Sequence, residues 1–84
     1  MEKVIEFDTI DKIISIFGEY DKNVNMISNE FGVNVLARGE ALKITGPQEG
    51  VIMAQKVIEN LMSLVERGEA LNDQNVGYAI ESVK

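Results

Sequence analysis

Apolar residues along this chain change their spacing several times, and each change marks an element. Residues 3–7 (KVIEF) are β-branched and aromatic and predict a short strand. Asp8 stands where an N-cap is expected. Ile10, Ile13, Ile14 and Phe17 then recur at helical spacing and predict a helix with these four on its buried face. Gly18 ends it, as a glycine after a helix commonly does. A second helix follows Asp21, with Val24, Ile27 and Phe31 on one face and Gly32 after its end. Val33, Val35 and Ala37 alternate with Asn34, Leu36 and Arg38, and Leu42 and Ile44 alternate with Lys43 and Thr45. That is a hairpin turning at Arg38-Gly39-Glu40, with Gly39 supplying the left-handed residue. Gly46-Pro47 opens the longest helix, with Pro47 expected at its first position. Its apolar stripe is Val51, Ala54, Val57, Ile58, Leu61 and Val65, and Gly68 stops it. Asn72 caps a last helix whose face is Val76, Ala79, Ile80 and Val83. Leu71 and Val76 are placed to clasp that cap, and Gly77 weakens the helix.

The order is β-α-α-β-β-α with a short C-terminal helix. Three strands with one apolar face and amphipathic helices to cover it predict a two-layer α+β domain. Residues 1–68 form that unit, and residues 69–84 read as a helical extension joined through the linker-like GEALND.

Composition narrows the chemistry. No cysteine and no histidine occur among the 84 residues. Thiolate and imidazole nucleophilic systems are therefore impossible, and structural zinc is not expected. Fourteen acidic against eight basic residues give a net charge of −6, which opposes non-specific binding to polyanions. No apolar run is long enough to span a bilayer, and the acidic start MEKVIEFD does not read as a signal peptide. Asp8 and Asp11 fall at a helix start, where carboxylates complement the dipole, so a structural role is expected of them.

A helix, a glycine turn and a second helix are the arrangement with which type I K-homology domains approach a nucleic-acid backbone through a G-x-x-G turn. Here the four positions are Gly18, Glu19, Tyr20 and Asp21, so the second glycine is replaced. The strings FGEYDKN, GVNVLARGEALKITGPQE, AQKVIENLMSLVERG and LNDQNVGYAI, taken in order, resemble the N-terminal domain of PhoH-like proteins across essentially the whole chain. The resemblance implies a type I K-homology-like fold with its helices on one face of the sheet. It also implies a following P-loop ATPase domain, a cytoplasmic setting and loose links to RNA metabolism and phosphate starvation. The Walker sequence G-x-x-x-x-G-K-[ST] does not occur in these residues. ATP and magnesium are thus implied for the full-length protein, and no cofactor or metal for this chain.

Two functional expectations follow. In the first, the chain is a non-catalytic accessory domain that contacts its own ATPase domain or a neighbouring subunit. Ile52, Met53 and Met62 are the candidate contacts, because the long helix has more apolar residues than one narrow stripe needs. In the second, it binds single-stranded RNA through Lys22, Arg38 and Lys43, with Tyr20 stacking on a base. Asp21 is expected to cap the second helix with its carboxylate, which would occupy the N–H groups a phosphate uses and weaken that grip. The first reading is favoured, on the acidic turn and the net charge.

Overall fold

The computed structural model describes residues 1–84. Its elements are β1 (Glu2–Glu6), α1 (Ile10–Phe17), α2 (Lys22–Phe31), β2 (Asn34–Arg38), β3 (Ala41–Thr45), α3 (Gln48–Glu66) and α4 (Asp73–Val83), with one 3₁₀ turn at Glu19–Asp21. The sheet is antiparallel throughout, in the order β1-β3-β2. This is the α+β, K-homology-like architecture that the element order predicts.

Alternation decides which face of the sheet is buried. Ile5, Val35, Leu42 and Ile44 point into the core, together with Val33 and Phe7 just outside the strands. Glu2, Val4 and Glu6 of β1 point the other way, in register with Thr45, Lys43 and Ala41 of β3 and with Asn34, Leu36 and Arg38 of β2. The helices lie on the first face and none covers the second. Ala37 has the buried phase but is exposed. It sits beside the hairpin tip, where a two-residue turn with Gly39 at φ 60° links Arg38 to Ala41.

α3 carries the centre of the core. Val51, Ala54, Val57, Ile58 and Leu61 are fully buried, and they meet Ile16, Ile27, Leu42 and Ile44. Each of these valine, isoleucine and leucine side chains contributes roughly 1.5–3 kcal/mol on leaving water. Gly50, on the first turn of α3, lies against the carbonyl of Phe31 so closely that a Cβ would collide with it. α3 begins one residue later than expected, with Pro47 as its N-cap.

Two features of α1 differ from the sequence expectation. Its N-cap is Thr9, not Asp8, and Asp8 instead pairs with Lys12 at 2.9 Å. Ile13 and Ile16 are its buried residues, whereas Ile10 and Ile14 are 52% and 62% exposed. Ile10, Ile13, Ile14, Ile16 and Phe17 crowd a helix of eight residues, so no single face can bury them all. Packing against α2 and α3 selects the Ile13–Ile16 edge.

α4 forms as predicted despite Gly77. Asn72 accepts from the N–H of Asn75 at 2.9 Å, and the Asn75 side chain accepts from the N–H of Asn72 at 2.8 Å. Val76, Ala79 and Ile80 enter the same hydrophobic cluster as the sheet and α3, and Leu71 packs against it. The apolar excess of α3 is therefore covered in part by α4.

Candidate interaction site at the interhelical turn

The turn between α1 and α2 begins at Gly18, whose N–H donates to the Ile14 carbonyl at 3.1 Å and whose φ of 80° suits glycine. Tyr20 and Asp21 follow at φ 56° and 58°, both left-handed, a conformation that costs an L-residue roughly 1–2 kcal/mol. The Tyr20 ring is 91% exposed.

This backbone overturns the expected capping. Asp21 occupies the N-cap position of α2, but its side chain makes no cap hydrogen bond. A capping residue normally holds an extended φ, ψ that turns its side chain back over the first helical N–H groups. Left-handed Asp21 does not. The negative charge at the turn remains, without the capping role assigned to it.

Beside the turn, a cleft of about 490 Å³ opens between the α1–α2 corner and the start of α4, with Lys22, Asn23 and Asp73 among its lining residues. Asn23 is only 5% exposed and packs under the turn, where a Cβ on Gly18 would stand 2.6 Å from its Nδ2. Lys22 Nζ reaches the Asp73 carboxylate at 2.7 Å. Neither Asn23 nor Asp73 was singled out from sequence. Asn23 could have been, because it lies one turn before Ile27 on the inner side of α2. For Asp73 there was no such signal, since it meets Lys22 only through the fold.

The basic residues do not form one stripe. Lys43 projects from the sheet face that the helices leave bare, between Val4 and Leu36, and pairs with Glu2 at 3.0 Å. Lys22 belongs to the helical layer, on the opposite side of the sheet. Arg38, at the end of β2, is exposed and makes no ion pair. Lys12 is held by Asp8 and, at 3.3 Å, by Glu66. The hydrogen bond from Lys12 holds the Asp8 carboxyl below its ordinary range, and the same bond raises Lys12. Lys84 is raised by its hydrogen bond to Glu30.

The candidate protein contacts are dispersed as well. Ile52 is on the outer side of α3, Met53 is half-buried, and Met62 packs against the core cluster. Positions nine apart on a helix lie about half a turn from each other, so Met53 and Met62 flank opposite edges of the buried stripe. No helix is long and apolar enough to cross a membrane.

No family model matches the chain, and no solved structure matches it. It is 27% identical over 74 residues to a PhoH-like protein of Bacillus subtilis (strain 168), a match covering 88% of this chain and 23% of that protein. It is 24% identical over 70 residues to a PhoH-like protein of Mycobacterium tuberculosis (strain H37Rv), covering 83% of this chain and 20% of that one. The chain thus spans about a fifth of the length of these relatives. Matches that cover nearly all of this chain and only about a fifth of each relative lead to one conclusion: the chain is a homologue of the N-terminal region of PhoH-like proteins.

Proposed function

We propose that this chain is a non-catalytic accessory domain of a PhoH-like protein, working in the cytoplasm through contacts with a P-loop ATPase region or a neighbouring subunit. ATP and magnesium belong, on this reading, to residues outside these 84. The observation that carries it is the fate of the cations. Lys12, Lys22 and Lys43 are each paired with a carboxylate, and Lys22 and Lys43 lie on opposite sides of the sheet. A backbone-tracking groove needs adjacent cations free to replace counterions. The surface offers instead exposed apolar side chains, Ile10 and Ile14 on α1 and Val4 and Leu36 on the sheet.

RNA binding is the second reading, favoured by the projecting Tyr20 ring and the unpaired Arg38. An NMR titration of the labelled domain separates the two. Mixed-sequence single-stranded RNA should leave residues 18–23 and 38–43 unshifted at low and at physiological salt. Addition of a PhoH-like ATPase region should shift resonances at Ile10, Ile14 or Ile52. Salt-sensitive shifts at the turn, saturating at micromolar RNA, would establish the second reading in place of the first.

A further inference from the structure

The order β1-β3-β2 leaves two free sheet edges, and the chain treats them differently. β1 reads EKVIE, with three charges in five residues. Charged side chains along an edge discourage a further strand from pairing there. β2 reads NVLAR, uncharged until its last residue. Its outward row is Asn34, Leu36 and Arg38, and Leu36 is 54% exposed. Ala37, on the other phase, is exposed too. Alternate residues of an edge strand direct unpaired N–H and C=O groups away from the sheet. β2 thus combines an open backbone edge with a short apolar surface and no protecting charge at its middle.

We infer that the free edge of β2 is an interface with a second copy of this chain, formed by antiparallel β2–β2 pairing about a two-fold axis at Leu36. Charge and pattern select this occupant. Two-fold pairing about Leu36 sets Leu36 against its own counterpart, Val35 against Ala37, and Asn34 against Arg38. Every opposed pair is then apolar or a neutral amide with a cation, with no like charges facing. The same operation on β1, about Val4, would set Glu2 against Glu6 and repel. Lys43, one strand inward, keeps its pairing with Glu2 and stays at the solvent face. The result is a continuous six-stranded sheet with a Leu36–Leu36 contact at its centre. An isologous contact of this kind closes at two copies and leaves the charged β1 edges outermost.

This inference deepens the accessory role proposed above, and rests on it, by naming the neighbouring subunit as another copy of the same domain. Sedimentation velocity on the 84-residue chain, from about 10 μM to about 1 mM, reads the self-association directly. A monomer–dimer equilibrium is expected. Amide exchange at Val35 and Ala37 should slow as concentration rises. Leu36→Lys places like charges opposite each other and should weaken the dimer about tenfold or more. Val4→Lys, on the other exposed edge, should leave it unchanged. A monomer throughout the range, a dimer indifferent to Leu36→Lys, or one lost on Val4→Lys would each overturn the inference. The wild-type exchange data decide the matter even if a variant folds poorly. Binding of an ATPase region to the Leu36→Lys monomer would show the accessory role surviving without the dimer, so the two failures are distinguishable.

Discussion

Asp21 shows how one backbone angle changes the meaning of a residue. Read as a capping carboxylate, its replacement by glycine would carry a small penalty. Seen at φ 58° without a cap hydrogen bond, it should carry the opposite sign. Asp21→Gly removes the left-handed strain and is expected to stabilise the domain by up to about 1 kcal/mol. The midpoint of urea unfolding should rise with an unchanged slope. Gly18→Ala should do the reverse. It places a Cβ at φ 80° and 2.6 Å from Asn23 Nδ2, and a loss of about 1–3 kcal/mol is expected in the same experiment. Asp8 gives a pH dependence. Its folded pKa is depressed by Lys12, so its contribution is present above the ordinary carboxylate value and is lost as pH falls through the folded value. Asp8→Asn should therefore flatten the acid limb of a stability profile, and an unchanged limb would remove Asp8 from the account. Lys84, raised by Glu30, acts at the other end. Its contribution holds below the ordinary lysine value and disappears as pH rises through the folded one.

At the scale of elements, the hairpin and α3 were the most legible. Period-two alternation fixed the face of β2 and β3, and a long stripe fixed the face of α3. α1 was not, because five apolar residues in eight match more than one face, and only α2 and α3 decide between them. The left-handed pair at Tyr20 and Asp21 was hidden for another reason. Neither residue type demands that conformation, so the turn imposes it. α4 tests whether a helix weakened by glycine is held by its cap and its packing. Asn72→Ala should cost about 1 kcal/mol in thermal unfolding, the usual worth of such a cap. Leu61→Ala, on the buried face of α3, should cost about 2–5 kcal/mol, because that side chain is fully buried in the core.

For the whole molecule, the ion pairs matter more through where they put charge than through the stability they add. Exposed pairs such as Lys22–Asp73 contribute roughly 0–1 kcal/mol. Lys22 and Lys43 find their partners far along the chain, at Asp73 and Glu2, which is why a list of basic residues did not show that these cations are paired. Disrupting one pair tests the point. Asp73→Asn frees Lys22, yet RNA affinity should change by less than about fivefold, since Glu19 and Asp21 still surround the turn. A larger gain, measured by fluorescence anisotropy at fixed salt, would mean that Asp73 alone suppresses binding.

The strand order has a consequence for how the chain reaches this state. β1 opens the sequence but pairs only with β3, Glu2 opposite Thr45 and Glu6 opposite Ala41, so α1, α2 and β2 are enclosed in the loop that this pairing closes. The β2–β3 hairpin needs only a two-residue turn and bears almost no closure entropy, whereas docking β1 requires the ends of a long loop to meet. On a ribosome, β1 emerges first and waits longest for its partner. Destabilising β1 should therefore hasten unfolding while leaving the folding rate nearly unchanged, and destabilising the hairpin should slow folding itself.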